Sequence, residues 1–400
     1  MNRTKLLVVG SAIAALSACS DRSATAVEPR TPPERAALVR MAAPGAAVPG
    51  MYIVVLKQGA VAQAVADAAG ARPRHVYRTA LNGFAGELNQ GQLTALRHNP
   101  NVDYIEQDQA VTASGQVQSS APWNLARLDR RSWKWGTSTG SYSFSTTGAS
   151  VHAYVIDTGI YTGHPDFEGR ATGGASFVED GRGAEDCNGH GTHVAGIIGG
   201  KVYGVAKGVS LVAVRVLGCD GVGTASAVLA GINWVADNRI RPAVANLSLG
   251  GGYSASLNDA VTRLAGQGVF VTVAAGNDNQ NAYSFSPASA PAVTTVAAAD
   301  GYDLRASYSN WGSGVDIYAP GSSVTSDWLS NTTRTLDGTS MASAHVAGVA
   351  ALLKDRLNGY DWGDPGQAWV DTWIKSRSST DVIRANPAGT PNLMLFKSTL

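Results

Sequence analysis

His152-Ala153-Tyr154-Val155-Ile156-Asp157-Thr158-Gly159 runs an apolar stretch straight into a carboxylate. The apolar part, His152 to Ile156, is predicted as a strand, and the same texture returns at Leu211–Val216, Val244–Leu249 and Val269–Ala275. Between and after these runs, helical spacing occupies Gly191–Gly199, Ala225–Ala236, Leu257–Leu264 and Ser340–Leu353. Continuous apolar strands that alternate with helices predict a parallel sheet covered on both faces. In such sheets the chemistry sits at the carboxyl ends of the strands.

Those ends carry unusual residues. Asp157 closes the first strand, and Asn188-Gly189-His190-Gly191-Thr192-His193 places His190 at a helix start. Gly338-Thr339-Ser340-Met341-Ala342-Ser343 places Ser340 at another. A serine hydroxyl is a poor nucleophile until a base takes its proton, and the base needs a third group to fix its tautomer and stabilise its cation. Asp157, His190 and Ser340 are the three types required. Val273-Ala274-Ala275-Gly276-Asn277 ends a further strand at Asn277, whose amide can donate to an oxyanion together with the Ser340 backbone N–H. Other readings of these motifs fail. The triplet Asp157-Thr158-Gly159 has no second copy to make a carboxylate dyad, and Ala342 stands where a lipase elbow needs Gly. His193 follows His190 without the Glu of a zinc-binding helix, so His193, like His345, is read as structural.

Composition fits an enzyme better than a polyanion binder. The 400 residues carry 31 Lys and Arg against 30 Asp and Glu, so no basic excess argues for nucleic acid. Hydrophobic residues make up 44%, enough for a sizeable core, and three cysteines are too few for a disulfide scaffold. At the start, Arg3 and Lys5 precede an apolar run from Leu6 to Leu16, too short for a permanent span, which reads as an export signal. Its end, Leu16-Ser17-Ala18-Cys19, resembles a bacterial lipoprotein signal cleaved before a lipidated Cys19; the alternative is an ordinary secretory signal. Residues 20–50 hold five prolines among many alanines and read as a flexible tether. From Met51 onward the order strand, helix, two strands, helix, strand ends at Val102–Glu106 and predicts a small α+β module, with a turn signal at Asn82-Gly83. Ala113–Ser120 is a second sparse segment.

The order Asp, His, Ser within these motifs resembles the subtilisin-like serine proteases, particularly their proteinase K branch, over roughly residues 121–397. Ala121-Pro122-Trp123, Ser248-Leu249-Gly250-Gly251 and Gly389–Leu395 share in it, and residues 51–111 resemble the family's inhibitory propeptide. The resemblance implies a subtilisin-like three-layer α/β fold with a mainly parallel sheet, preceded by a ferredoxin-like propeptide. The implied organisation is a signal over 1–19, a linker over 20–50, a propeptide over 51–111, a processing linker over 112–120 and a peptidase over 121–400. It implies an exported serine endopeptidase made as an autoprocessed precursor, acting on polypeptides, inhibited by its own propeptide and monomeric when mature. A membrane is involved only through Cys19.

Several site residues follow by resemblance alone. Substrate backbone is expected to pair with Gly221-Val222-Gly223 and with Ser248-Leu249-Gly250. Ala274, Ala275 and Gly276 are expected to line the pocket before the scissile bond. Cys187 and Cys219 are expected to form a disulfide. A structural Ca²⁺ is expected on the Pro291 and Val293 carbonyls and the Asp316 carboxylate. One residue departs from the pattern: Ala344 stands where the family usually has Pro, four residues after the nucleophile. A helical Pro crowds the carbonyl four residues earlier, so Ala344 predicts a more regular first turn with Ser340 set slightly back.

Overall fold

Strict alternation along the strand that ends at Asp157 decides the layering. The computed structural model describes residues 36–41, 47–79, 81–109, 116–132, 140–358 and 364–400. The signal reading with Cys19, most of the proposed tether and residues 110–115 therefore lie outside the described residues. The chain divides into two compact units, residues 1–112 and 113–400.

In the first unit, β1 (Leu38–Arg40), β2 (Ala47–Leu56), β3 (Arg72–Tyr77), β4 (Gly83–Glu87) and β5 (Val102–Gln109) form one sheet in the order β1-β5-β2-β4-β3. Helices α1 (Ala62–Ala68) and α2 (Gln90–Arg97) complete it, and Val54, Leu56, Val65, Phe84, Leu93, Leu96 and Ile105 form its core. Asn89 caps α2 in a reciprocal box with Gln92, which satisfies two end groups at once. Two boundaries differ from expectation. Residues 38–40 and 47–50 belong to strands although they fall inside the stretch read as a tether. The reason is pairing: β1 runs parallel to β5, with Leu38 opposite Tyr104, and Ala37 is buried beside it. Composition reports the prolines of that stretch but not a distant strand edge.

The second unit contains β6 (Gln116–Gln118), α3 (Trp123–Leu128), β7 (Tyr142–Phe144), β8 (His152–Asp157), β9 (Ala171–Ser176), α4 (His190–Gly199) and β10 (Ser210–Arg215). Next come α5 (Ala225–Asn238), β11 (Ala243–Leu247), β12 (Gly251–Gly252), α6 (Ala255–Gly266), β13 (Val269–Ala274), β14 (Phe285–Ser286) and β15 (Thr294–Ala299). The unit ends with β16 (Ile317–Pro320), β17 (Val324–Trp328), β18 (Thr332–Leu336), α7 (Thr339–Leu357), α8 (Gln367–Arg377), β19 (Ser379–Thr380) and β20 (Leu393–Met394). Here too a boundary shifts, because β6 lies in the expected processing linker and pairs with β7.

Nine strands form the central sheet in the order β19-β20-β16-β15-β13-β11-β8-β10-β9, and only β19–β20 is antiparallel. Along β8, Ala153 and Val155 face the core shared with α4 and α7, whereas Tyr154 and Ile156 face the one shared with α5 and α6. The same two-residue period separates Phe270 from Val269, Val271 and Val273 on β13. Both faces are thus dry, which is why these strands read as unbroken apolar runs. The eight expected elements all form, with ends shifted by a few residues.

Candidate functional site

At the carboxyl ends of the central strands Asp157 and His190 are hydrogen-bonded, whereas the Ser340 hydroxyl bonds the Ser248 carbonyl and not His190. Asp157 ends β8 fully buried, and its Oδ1 accepts hydrogen bonds from His190 Nδ1 at 2.8 Å and from the Thr158 amide at 2.7 Å. Donation from Nδ1 leaves Nε2 as the basic nitrogen of the neutral ring. Burial alone would favour neutral His190, but the charge and hydrogen bond of Asp157, with Asp186 behind, outweigh it and raise the imidazole above its ordinary value. About a quarter of the His190 side chain, 26%, stays open to solvent.

The start of α4 has its unpaired N–H groups met by side chains. His190 N donates to Asn188 Oδ1 at 3.2 Å, Gly191 N to Thr158 Oγ1 at 2.9 Å and Thr192 N to Asp186 Oδ2 at 2.9 Å. Asp186 also accepts from the Thr158 hydroxyl, the Asn188 and Gly189 amides and the Thr192 hydroxyl. This buried carboxylate holds the whole loop that presents His190. Gly189, at φ +105°, cannot be replaced freely: a Cβ there would lie 2.4 Å from the Trp328 ring.

Neutral groups hold the start of α7. The Asn277 side-chain oxygen accepts from the Thr339 amide and the Thr339 hydroxyl, each at 2.9 Å. Nδ2, the donor end, is left 3.6 Å from where a Cβ on Gly338 would stand, a point 3.7 Å from Ser340 N. Met341 N donates to the Gly338 carbonyl, and between it and Thr339 N lies the Ser340 N–H. The Ser340 hydroxyl donates to the Ser248 carbonyl at 3.2 Å, while the Ser248 hydroxyl donates to the Ser340 carbonyl at 2.8 Å. Below them, Asn246 donates to Ser248 Oγ and accepts from the Thr272 and Ser343 hydroxyls. Asn310 shapes the neighbouring turn, accepting from the Asp278 and Gln280 amides and donating to the Ala275 carbonyl.

Two adjoining recesses share the wall Ser248–Gly252. One, of about 590 Å³, is bordered by His190 and by Gly221, Val222 and Gly223. The other, of about 480 Å³, holds Ser340, Asn277 and the small residues Ala274, Ala275 and Gly276. All residues expected at the substrate groove therefore border these two spaces. Cys187 and Cys219 form the expected disulfide, with Cα atoms 5.0 Å apart. It ties the segment before His190 to the one before Gly221, and Asn188 Nδ2 adds a bond to the Cys219 carbonyl.

His193 and His345 are structural, as read from the sequence. His193 Nε2 bonds the Arg334 carbonyl, and burial lowers its pKa to about 4. His345 bonds the Met341 carbonyl and Asn124, with burial again lowering it to about 4. Sequence reasoning missed Asp186, Asn246, Thr272, Ser343, Thr339, Asn310 and Trp328. Only Asp186 gave a local signal, as an acidic residue opening the turn before His190.

The residues expected to hold calcium do assemble, but with an extra partner. Asp316 borders a recess with Pro291 and Val293, and Lys375 enters it from α8. Lys375 Nζ lies 2.6 Å from Asp316 Oδ1, and the Thr295 amide donates to Oδ2 at 2.8 Å. In this arrangement the donor set does not fit a resident divalent ion, because its single expected carboxylate is already fully engaged.

Known proteins resemble the chain over most of its length. Residues 148–388 match the Subtilase family, and residues 51–114 match the Peptidase inhibitor I9 family. The chain is 44% identical to an extracellular serine proteinase of Thermus sp. (strain Rt41A), covering 95% of this chain and 96% of that one. It is 48% identical to the subtilisin-like serine protease AsES of Sarocladium strictum, over 81% of this chain and 82% of the relative. The crystal structure of a cold adapted subtilisin-like serine proteinase superposes with a TM-score of 0.66 at 44% identity, covering 70% of this chain and all of that one. Proteins of this family commonly bind structural calcium. The chain belongs to the subtilase family: it is a subtilisin-like serine protease preceded by an inhibitor-type propeptide domain.

Proposed function

We propose that this protease is an exported endopeptidase that cleaves peptide bonds through an acyl-enzyme, and that it processes its own precursor. The observation that carries the reading is the 2.8 Å bond from His190 Nδ1 to buried Asp157, which leaves Nε2 basic at the groove that also holds Ser340. Ser340 attacks the scissile carbonyl as its hydroxyl turns from the Ser248 carbonyl toward His190, which takes the proton and later gives it to the leaving amine. Asp157 keeps the ring in the right tautomer and stabilises the imidazolium. Asn277 Nδ2 and the Ser340 N–H receive the oxyanion, in a direction set by the two bonds from Thr339.

An extended substrate adds a strand between Gly221–Gly223 and Ser248–Gly250, gaining affinity from main-chain hydrogen bonds. Ala274, Ala275 and Gly276 leave room for apolar or aromatic side chains before the cut. The domain at 51–111 inhibits the enzyme until cleavage within 111–120 frees it. The apolar run at Leu6–Leu16 supports export, and a lipid on Cys19 would stay with the released leader. At Asp316 the Lys375 ammonium takes the place that calcium would need beside Pro291 and Val293.

Expression of the wild type beside Ser340→Ala, followed by intact-mass analysis, tests the reading. Wild type is expected to shorten near residues 111–120 and to be labelled by a serine-directed phosphonate. Ser340→Ala is expected to stay whole and unlabelled. A shortened, correctly folded Ser340→Ala chain made without other proteases defeats the proposal, and lipid found on the active species defeats the order of events.

A further inference from the structure

In the recess beside Asp316 every carboxylate oxygen has a donor without a metal, and one ammonium offsets one of the two carboxylate charges. Asp316 Oδ1 receives Lys375 Nζ and Oδ2 the Thr295 amide. Asp371, one helical turn before Lys375 on α8, accepts from the Thr294 hydroxyl at Oδ1 and lies 2.7 Å from the same ammonium at Oδ2. All four carboxylate oxygens thus have a donor. The side chains are partly buried, at 20–28% exposure, so the charges lie in a medium that screens them less than bulk water. A divalent ion on Asp316 would meet the Lys375 ammonium at close range and would have to displace it. Pro291 and Val293 line the same recess as Asp316, Asp371 and Lys375.

We propose that Lys375 is a built-in cation: its ammonium stands in for a structural metal ion at Asp316 and Asp371, so that this corner of the protease is stable without calcium. The compact charge of an ammonium, with three donors on a flexible stem, suits a place between two carboxylates. The site anchors α8 to the strand ends around β15 and β16, where Thr294 and Asp316 lie.

The test uses the full chain with Ser340→Ala to suppress self-cleavage, and compares unfolding temperatures in excess EDTA and in millimolar calcium. Any calcium response from elsewhere in the molecule is a constant background, so the readout is the change each variant makes in it. With Lys375 present, adding Asp316→Asn is expected to leave the calcium response as it was. Lys375→Met is expected to lower the unfolding temperature in EDTA by on the order of 4–8 °C, the scale of an unpaired, partly buried carboxylate in a unit of this size. Calcium is expected to restore most of that loss, and adding Asp316→Asn to Lys375→Met to abolish the restoration. Lys375→Arg keeps the charge and is expected to stay indifferent. If Lys375→Met folds only when refolded in calcium, that is the same result in stronger form. Terbium, as a calcium probe, is expected to give emission sensitised by nearby Trp369 in Lys375→Met and not with Lys375 in place. A calcium response that disappears on Asp316→Asn while Lys375 is intact overturns the proposal. So does a Lys375→Met chain that gains no response to calcium.

Discussion

The loop that presents His190 and the turn that presents Ser340 lie at the same sheet ends, yet opposite chemistry holds them. Around His190 the anchors are the carboxylates of Asp157 and Asp186, which together accept seven hydrogen bonds. Around Ser340 the anchors are the amides of Asn277, Asn246 and Asn310 and the hydroxyls of Thr339, Thr272, Ser343 and Ser248. In the proposed mechanism the difference follows the charge that each side meets during peptide cleavage. A proton arrives on the imidazole, and nearby anions stabilise it. Negative charge grows beside Ser340, where a carboxylate at hydrogen-bond distance would oppose it and only neutral dipoles can hold the backbone without penalty.

Removing the charge on the histidine side gives the largest expected effect. Asp157→Asn keeps the shape but no longer selects the Nδ1–H tautomer, and kcat is expected to fall about 10⁴-fold. The pH profile carries the sign. Asp157 holds the His190 imidazole above its ordinary value, and catalysis needs the neutral ring, so wild-type kcat/KM is expected to rise with pH through a midpoint above 6.5. In Asp157→Asn that midpoint moves down; a profile that stays put means the acid limb belongs to another group. On the serine side, Asn277→Ala is expected to lower kcat by about 10²–10³ with little change in KM, a size taken over from the equivalent donor in subtilisin. Equal losses from both substitutions, with the same pH midpoint, would erase the contrast between the two sides.

A smaller effect separates holding the backbone from touching the reaction. Asn246→Ala leaves the buried Ser248, Thr272 and Ser343 hydroxyls short of a partner, at about 1–3 kcal/mol. The unfolding temperature of the phosphonate-inhibited enzyme is expected to drop by several degrees, while kcat changes by less than about tenfold. A kcat loss as large as that of Asn277→Ala, at unchanged stability, would make Asn246 part of the chemistry.

This contrast also explains what could be read from the sequence. The apolar runs announced the parallel sheet because both of its faces are dry, and Asp157, His190, Ser340 and Asn277 stood out because polar groups closed such runs or opened helices. The second rank was silent. Asn246 sits inside an apolar strand and Ser343 inside a helix start, and neither position shows that their side chains meet across 97 residues. Lys375 carried no signal in the sequence; it lies in the last turn of α8, where it also complements the dipole. Its pairing with Asp316, 59 residues earlier, depends on tertiary packing that no local pattern reports.

Ala344 offers the finest test of the serine side. The sequence predicts a more regular first turn than Pro would give; α7 runs from Thr339 to Leu357 with Ala344 buried. The Ser340 carbonyl, which a Pro ring at 344 would crowd, already accepts a bond from the Ser248 hydroxyl. Ala344→Pro therefore removes one donor from that carbonyl without leaving it bare, and its main action is steric, pushing the Ser340 backbone toward the groove. The expected result is a change of a few-fold in acylation rate and in the ratio of aminolysis to hydrolysis when an amine nucleophile competes with water, well below the Asn277→Ala loss. Single-turnover acylation and product partitioning measure the two separately. Rates and ratios equal to wild type would show that the neutral network under Ser340 alone fixes the nucleophile, and that the residue at 344 has no influence on it.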